Sequence, residues 1–328
     1  MPGQLRVATL RGEGDHALVQ EAYLKVAGEE DEDAFEPPEE LLEVHPSARN
    51  VTPAHSNLVF FSAVPKCGSS TTGHLFKKLS ALNSFYSLTP QQRIQPVIDK
   101  EQQQTLLENL FSLSDKVPVA YTRHLYYFNT TILGFPRAAW VAIVRHPVER
   151  LISQFYYARI PSRYLENKLL QGRMPSPEFM NMTLDTCVPQ KDPRCWYREG
   201  SRQMLQLSFF CGQDSYCTTV GSRRALQMAK YNAENFYSAV GVLEDLHLSY
   251  KVLEKYLPRF FAHSSGSDIG TGTVRFNSQE NKPSVKNSTR LMMETFLKED
   301  IELYFFLKQR LHLQAEAIES GNIDTYGN

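Results

Sequence analysis

Residues 58–76 read LVFFSAVPKCGSSTTGHLF and contain an apolar run, a short turn and an amphipathic stretch in that order. The apolar run predicts a buried β-strand over Asn57–Val64, and the spacing of the apolar residues predicts a helix over Thr71–Leu82. The turn between them contains Lys66 and Gly68. A strand, a glycine-containing turn and a helix form the repeating unit of α/β proteins.

Short apolar stretches alternate with amphipathic ones along the following 200 residues, which is typical of a parallel sheet covered by helices on both faces. Further strands are predicted at Val117–Thr122, Ala138–Arg145 and Tyr237–Val242, and further helices at Val148–Ala158, Gly221–Phe236 and Leu246–Tyr256. The Gln-rich stretch 91–104 is expected to be an exposed helix, and 264–288 a long loop. Residues 289–318 are predicted to form a C-terminal helical region. The predicted fold class is therefore α/β, with a P-loop-like parallel sheet flanked by helices.

The near-neutral formal charge of −1 conceals two parts of opposite sign. Residues 1–43 contain three basic and twelve acidic residues, and residues 44–328 have a net charge of +8. The acidic leader, 1–43, includes the run EEDEDAFEPPEE and is expected to be disordered. The basic body, 44–328, is predicted to be one catalytic or binding domain with an anionic partner.

The sequence gives conflicting indications of the cellular compartment. It has no run of 18 apolar residues and no signal-peptide layout at the N-terminus, which favours an intracellular protein. The pairs Cys187 with Cys195 and Cys211 with Cys217 favour an oxidising compartment if they form disulfides, although four reduced cysteines are the alternative. Asn-x-Ser/Thr sequons support a secretory protein, and a targeting segment would then be expected ahead of this N-terminus. The three favourable sequons are at Asn129, Asn181 and Asn287, whereas Asn50 precedes Val-Thr-Pro and is a poor acceptor.

The turn at 65–71 has the composition of an anion-binding loop. Gly68 permits close approach of the backbone, and Lys66 supplies a positive charge. Hydroxyls and free N–H groups at the start of the helix can donate to a phosphate, and they come from Ser69, Ser70 and Thr71. The loop is not a Walker A sequence, because the lysine precedes the glycine. An ordinary strand-to-helix turn with a capping serine is the alternative, and Cys67 is interpreted as a loop thiol rather than a nucleophile.

A second strand-to-helix junction, AAWVAIVRHPVERLISQFYY at 138–157, places Arg145 at the carboxyl end of a buried strand. Pro147 suits the first position of the following helix, and His146 is expected to cap it. Ser153 lies two turns further on. Arg145 and Ser153 can together hold a second phosphate at the edge where α/β sheets bind ligands. The alternative is an arginine in a surface ion pair and a serine packed within a helix.

These two motifs, in this order, resemble the cofactor signatures of sulfotransferases that use 3′-phosphoadenosine-5′-phosphosulfate (PAPS). Further stretches resemble the uronyl 2-O-sulfotransferase and heparan sulfate 2-O-sulfotransferase family, from about residue 57 to residue 313. They are VPKCGSST, YTRHLYYFN, VRHPVERLISQFYY, FFCGQDSYC, GSRRALQMAKYNAENFYSAVGVLEDL and LPRFF. The K-C-G-S and T-R-H forms are more similar to the uronyl branch.

The resemblance implies a sulfotransferase fold, PAPS as sulfate donor, a glycosaminoglycan acceptor and a homotrimer in the Golgi lumen. It implies that His124 is the catalytic base and that Lys66 stabilises the leaving phosphate. It assigns the 5′-phosphosulfate to the loop containing Lys66, Cys67, Gly68, Ser69, Ser70 and Thr71. The 3′-phosphate is assigned to Arg145 and Ser153, and a late loop over the nucleotide to Arg275. The family's disulfides correspond to Cys187–Cys195 and Cys211–Cys217.

Two positions depart from the family pattern. Ala63 replaces an arginine that usually helps to bind the acidic sugar, and Thr122 stands where the heparan branch has a second histidine. The family also has an N-terminal membrane anchor, and no anchor is expected within residues 1–328, which have no run of 18 apolar residues. Candidates for a basic cleft that binds the acceptor are Arg123, Arg159, Arg163, Arg202, Arg223 and Arg224.

Three functions remain open from the sequence. The first is transfer of a sulfuryl group from PAPS to the 2-hydroxyl of a uronic acid in dermatan, chondroitin or heparan sulfate. The second is a non-catalytic glycosaminoglycan-binding relative, which Ala63 favours. The third is a P-loop phosphotransferase, which the absent Walker order disfavours. Neither a metal ion nor a nucleic-acid partner is expected.

Overall fold

The computed structural model describes residues 44–53, 56–90, 95–160, 176–267 and 283–322. The predictions for the acidic leader, Arg163 and Arg275 lie outside these described residues. No helix within these ranges combines the length and the apolar character needed to cross a membrane.

Five parallel strands form one sheet in the order β2-β3-β1-β4-β5. Antiparallel neighbours are absent from the described part of this sheet, as the alternation of strands and helices predicts. The strands are β1 (Leu58–Ser62), β2 (Tyr86–Leu88), β3 (Val119–Arg123), β4 (Ala139–Val144) and β5 (Tyr237–Val242). The predicted α/β class and parallel sheet are confirmed.

A helix follows each of β1, β2, β4 and β5 along the chain. The longer ones are α1 (Ser69–Leu82), α2 (Lys100–Ser114), α3 (Pro147–Tyr157), α7 (Arg223–Phe236), α8 (Leu246–Tyr256), α10 (Asn287–Phe296) and α11 (Lys298–Glu319). The short ones are α4 (Pro177–Asn181), α5 (Leu184–Cys187), α6 (Ser208–Cys211) and α9 (Pro258–Phe261). The predicted C-terminal helical region is thus a pair of helices, α10 and α11.

The sequence-based boundaries agree with the structure within two residues for most of these elements. β5 and α8 have the predicted ends, and α3 begins at Pro147 as expected. The Gln-rich stretch is only partly helical, because α2 begins at Lys100. Asp99 caps this helix, because its side chain accepts from the Gln102 N–H at 2.8 Å. In return, the Asp99 N–H donates to the Gln102 side chain at 3.2 Å. The short edge strand β2 was not predicted.

Aromatic rings fill the interior around the central strand. The ring of Phe60 on β1 stacks on Trp140 of β4 at 4.5 Å and meets Tyr121 of β3 edge-on at 5.7 Å. All five residues of β1 are buried. Burial on both faces explains why this strand is a continuous apolar run rather than an alternating one.

Helix α11 is fastened to the sheet by a buried ion pair. Arg310 is 1% exposed and donates from Nε to Glu234 of α7 at 2.9 Å, and its Nη2 donates to the Tyr237 carbonyl at the start of β5. The Glu234 carboxylate also accepts from Ser47. Burial lowers the pKa of Arg310, and the charge of Glu234 opposes that shift. The pair joins two helices and the outermost strand.

Both predicted disulfides are present. Cys187 pairs with Cys195, and Cys211 pairs with Cys217. The second joins the end of α6 to the single-turn helix Ser215–Thr218. It therefore closes the segment that leads from α6 towards α7.

Glu234→Gln is expected to lower the free energy of unfolding by about 3–5 kcal/mol, because it leaves the Arg310 charge buried without its partner. Denaturant unfolding followed by circular dichroism measures this. Glu302→Gln is the matched control, since Glu302 pairs with Arg223 and Lys230 at the surface and is expected to change stability by about 1 kcal/mol or less. Equal losses in the two variants would contradict the assigned importance of the buried pair.

Candidate active site

Three strands end side by side at one edge of the sheet. β1 lies between β3 and β4, and its last residue, Ser62, is in register with Arg123 and Ala142. The chain leaving β1 stays beside β3, because the Ala63 N–H donates to the Arg123 carbonyl at 2.9 Å. Since the connections leave β1 and β4 in different directions, this is the edge where α/β sheets form a ligand crevice.

The turn after β1 has two departures from ordinary backbone geometry, one on each side of Cys67. Lys66 has φ 67° and Gly68 has φ 81°, both in the left-handed region. A Cβ at position 68 would lie 2.9 Å from Leu243 Cδ1, so only glycine fits there without a shift. A non-glycine residue such as Lys66 is retained in this conformation only where its surroundings hold it.

Helix α1 begins immediately after this turn, with Gly68 at its N-cap position and no side chain hydrogen-bonded as a cap. The capping serine of the alternative interpretation is therefore not present. Uncapped N–H groups and the positive end of the helix dipole favour an anion at this place. Ser69 and Ser70 open the helix at its accessible end, whereas Thr71 is buried.

The Lys66 ammonium group lies over the ring of Tyr157, with Nζ 3.4 Å from the ring centroid. Tyr157 ends α3, the helix that also contains Ser153 one turn earlier. The contact joins the first predicted motif to the second. Sequence reasoning did not identify Tyr157, although its i+4 spacing from Ser153 places it on the same helix face.

Cys67 differs from its neighbours in the loop. Its Sγ is buried 3.3 Å from Gln206 Oε1, and its N–H donates to the Val64 carbonyl at 3.3 Å. Burial raises the pKa of this thiol to about 12, against the opposing charges of Arg150 and Arg145. The prediction that Cys67 contacts the nucleotide does not fit this geometry, because both polar groups are used within the protein. Its interpretation as a loop thiol agrees with the burial.

Gln206 is a second residue that sequence reasoning missed. It is fully buried, and its Oε1 accepts from the Arg145 N–H at 3.0 Å as well as from Cys67 Sγ. The backbone N–H groups of Gln206 and Leu207 donate to the Asp300 carboxylate at 3.2 and 2.7 Å. A buried glutamine ahead of α6 has no sequence signal that separates it from an exposed one.

Arg145 follows β4 as predicted, and its side chain is 19% exposed. Glu149, one turn into α3, lies 3.7 Å from its guanidinium and is bound at 2.5 Å by Arg290 of α10. Burial opposes ionisation of Glu149, but the hydrogen bond and charge of Arg290, together with the charge of Arg145, outweigh it and lower the pKa. Arg290 thus shares this carboxylate and leaves Arg145 only loosely paired.

The two other residues of the second motif occupy their predicted places. Ser153 is buried on α3, and none of the described residues hydrogen-bonds its hydroxyl. His146 is at the N-cap position of α3, but its side chain makes no capping bond. Instead its ring packs edge-on against Tyr304 at 5.3 Å, and its N–H donates to Glu244 at 3.0 Å.

His124 directly follows β3 and is exposed. Its Nδ1 is hydrogen-bonded to the Ala63 carbonyl, which lies between β1 and the anion-binding turn. A carbonyl oxygen can only accept, so Nδ1 must carry the proton of the neutral ring. Nε2 is then the nitrogen with a free lone pair. The backbone of one loop thus fixes the tautomer of the histidine on the next strand.

The predicted basic cleft is only partly accessible. The guanidinium of Arg159 is buried between Phe155 and Phe179, with ring-centroid distances of 3.4 and 4.2 Å, and donates to the carbonyls of both residues. Burial lowers its pKa to about 10. Direct contact between Arg159 and an acceptor does not fit this placement, because the group packs in the interior.

The remaining candidate arginines lie nearer the surface. Arg123 donates to the Gln95 carbonyl at 2.9 Å, and Arg202 is exposed beside Thr219. Arg223 pairs with Glu302 at 2.6 Å, and Arg224 lies over the Tyr216 ring at 4.3 Å. Of these four arginines, only Arg223 is paired with a carboxylate among the described residues, and Arg123 and Arg202 lie outside both the ion pair and the ring contact.

The three favoured sequons are at surface positions, and their glycosylation stays a prediction. Asn181 and Asn287 are exposed. Asn129 is half-buried and accepts from the Thr131 N–H at 3.0 Å.

The fold and the turn together define a class: a parallel α/β protein with an anion-binding loop at the carboxyl edge of its sheet. Comparison with known proteins gives the family. The sequence model described as "Sulfotransferase family" matches residues 49–306. The chain belongs to the sulfotransferase family.

Individual relatives refine this result. The chain is 34% identical over 288 residues to the uronyl 2-sulfotransferase homolog pip of Drosophila melanogaster, a match covering 83% of this chain and 55% of that protein. It is 30% identical over 277 residues to heparan sulfate 2-O-sulfotransferase 1 of Xenopus laevis, and 29% over 275 residues to the human form. Each of those matches covers 82% of this chain and 75% of the relative. The resemblance identified from the motifs is confirmed.

The folded protein is expected to resist thiol-specific reagents at pH 8. Cys67 is the only cysteine outside a disulfide, and a pKa of about 12 leaves roughly one thiol in ten thousand ionised at that pH. Titration with a chromogenic disulfide reagent is expected to detect no rapidly reacting thiol in buffer and one per chain in denaturant. Rapid reaction in buffer would contradict the buried placement of Cys67.

Proposed function

We propose that this protein transfers a sulfuryl group from PAPS to the 2-hydroxyl of a uronic acid in a glycosaminoglycan. The observation that carries the proposal is the hydrogen bond from His124 Nδ1 to the Ala63 carbonyl. This bond holds His124, whose Nε2 has a free lone pair, against the segment between β1 and the anion-binding turn. Family membership and the names of the relatives support the same reaction class.

His124 acts as the general base in this proposal. Its Nε2 accepts the proton of the sugar hydroxyl while the hydroxyl oxygen forms a bond to sulfur. The bond between sulfur and the bridging oxygen of the 5′-phosphate breaks, and that oxygen keeps the electron pair. The Ala63 carbonyl stabilises the protonated imidazole through Nδ1 and holds the ring in one orientation.

The residues of the turn act on the charge that develops on the leaving phosphate. PAPS supplies an activated sulfuryl group and a phosphate leaving group. Lys66 supplies a positive charge at the turn, and the uncapped start of α1 supplies N–H donors. The donor set of the turn fits a phosphosulfate group, since it combines an ammonium group with an open helix N-terminus.

The second anionic group of the donor is assigned to Arg145 and Ser153. The guanidinium of Arg145 is suited to bidentate phosphate binding, and Ser153 retains a hydroxyl without a partner among the described residues. Glu149 holds Arg145 in place without neutralising it fully, because Arg290 shares the same carboxylate. Arg275 remains a further proposed contact, outside the described residues.

The proposed acceptor is a uronic acid polymer of the dermatan, chondroitin or heparan type. We propose that Arg123 and Arg202 contact the acceptor. Arg163 is a further proposed contact and lies outside the described residues. The identity is higher to the uronyl homolog than to the heparan relatives, which supports the uronyl branch of the family. A non-catalytic glycosaminoglycan-binding protein is the second candidate, since Ala63 is buried where the family pattern has an arginine.

The disulfides and sequons support a secretory compartment, and we propose the Golgi lumen as the site of action. A homotrimer, membrane attachment and glycosylation at Asn129, Asn181 and Asn287 are parts of the same proposal. Analytical ultracentrifugation of the secreted protein and peptide mapping after glycosidase treatment test the assembly and the glycans.

The proposed reaction is tested with radiolabelled PAPS and desulfated dermatan, chondroitin and heparan chains. Label on a chain, recovered after depolymerisation as a 2-O-sulfated uronic acid, is the expected result. Chain binding without transfer would favour the non-catalytic relative. Transfer of phosphate from ATP would overturn the proposal.

His124→Ala is expected to reduce sulfuryl transfer at least 100-fold, because no other described group replaces the base, while binding of adenosine 3′,5′-bisphosphate stays within about twofold. Transfer assays and calorimetry measure the two properties. His312→Ala is the matched control, since His312 pairs with Asp245 on the surface of α11. Transfer at the unaltered rate by the His124 variant would show that another group is the base.

A further inference from the structure

We infer that Gln206 is a positioning residue that sets the spacing between the two anion-binding loops. The inference rests on the proposed function, because the spacing matters only if one ligand spans both loops. The Gln206 side chain is bonded to Cys67 Sγ and to the backbone N–H of Arg145. It acts through the backbone and thiol groups that hold those two residues in place.

The carboxamide oxygen of Gln206 bridges the two loops directly. It accepts from Cys67 Sγ, between the two left-handed residues Lys66 and Gly68, and from the N–H of Arg145. The orientation of the amide follows from the second bond, because a peptide N–H can only donate. One oxygen atom therefore fixes the apex of the first loop relative to the start of the second.

Gln206 is itself anchored from the opposite side. The Asp300 carboxylate, 2% exposed in the first turn of α11, accepts from the N–H groups of Gln206 and Leu207. Burial raises the pKa of Asp300, while the nearby charge of Arg150 and the two N–H bonds oppose this. The carboxylate and the carboxamide form a continuous polar connection from the C-terminal helix to both loops.

The two ends of the Gln206 carboxamide differ in their hydrogen bonding. Its Nε2 is buried and has no hydrogen-bond partner among the described residues. An apolar side chain of similar length would remove this unpaired donor but would leave the Arg145 N–H without its acceptor. What the glutamine provides is the acceptor shared by the two loops.

The strained turn shows why such an acceptor is needed. Lys66 and Gly68 hold left-handed conformations on either side of Cys67, and the thiol is the side chain through which the middle of the turn is attached to the core. Without that attachment, the turn would be free to relax towards ordinary backbone angles. The position of the Lys66 ammonium group relative to Arg145 would then vary.

The test uses Gln206→Met, which keeps the length of the side chain and removes the shared acceptor. The affinity for adenosine 3′,5′-bisphosphate is expected to fall about tenfold, and KM for PAPS to rise by a similar factor. Affinities for 5′-AMP and 3′-AMP, each with a single phosphate, are expected to change less than about threefold. A general loss of structure would weaken all three ligands equally.

Gln314→Met is the matched control. Gln314 is also fully buried, bonds through one amide group to the Ser238 carbonyl at 2.9 Å and has an unpartnered second group, but it is not bonded to either loop. This variant is expected to lose a comparable amount of thermal stability without any change in nucleotide affinity. Equal loss of bisphosphate affinity in both variants would overturn the inference.

Cys67→Ala and Cys67→Ser provide a second pair that leaves Gln206 intact. The alanine variant is expected to show part of the bisphosphate defect, and the serine variant to recover it, because serine restores a donor to Oε1. Unchanged affinity in both Gln206→Met and Cys67→Ala would overturn the inference alone. Absence of bisphosphate binding by the unaltered protein would overturn the proposed function and the inference together.

Discussion

The register of β1 between β3 and β4 is the constraint on which the rest of the site depends. Because Ser62 is level with Arg123 and Ala142, the residues that leave these strands emerge at one edge. The bond from the Ala63 N–H to the Arg123 carbonyl continues this pairing one step beyond the strand. The reciprocal bond, from His124 to the Ala63 carbonyl, lies within the same short junction. The backbone thus supplies most of the positioning, and the side chains supply the charge.

The sequence predicted most of the fold because the decisive elements are buried on both faces. The apolar runs at β1, β4 and β5 predict strands, and every residue of these three strands is buried in the structure. β2 was missed because three residues at a sheet edge, with Tyr86 exposed, have neither apolar length nor alternation. The helix predicted for the Gln-rich stretch begins at Lys100, later than expected, because its first turn is set by the Asp99 cap and not by composition.

The candidate site could be predicted only as far as its residues belong to local motifs. Lys66, Gly68 and Arg145 lie at strand and helix ends, and Ser153 lies within the helix that follows Arg145, so sequence order determines their positions. Gln206, Arg290 and Asp300 reach the site from distant parts of the chain, so no local spacing predicts their contacts. Arg159 is the opposite case. The sequence predicts an accessible charge that binds the acceptor, but the guanidinium is packed between the rings of Phe155 and Phe179.

The Cys211–Cys217 disulfide has a consequence that extends beyond local stability. It closes the chain directly after α6, and α6 follows the segment in which Asp300 holds Gln206 and Leu207. Expression of this protein in a reducing cytosol would leave that segment with fewer restraints during folding, even if the sheet itself formed. The choice of expression host therefore bears on ligand binding as much as on yield, and loss of activity after recombinant production would first call for an assay of oxidation state.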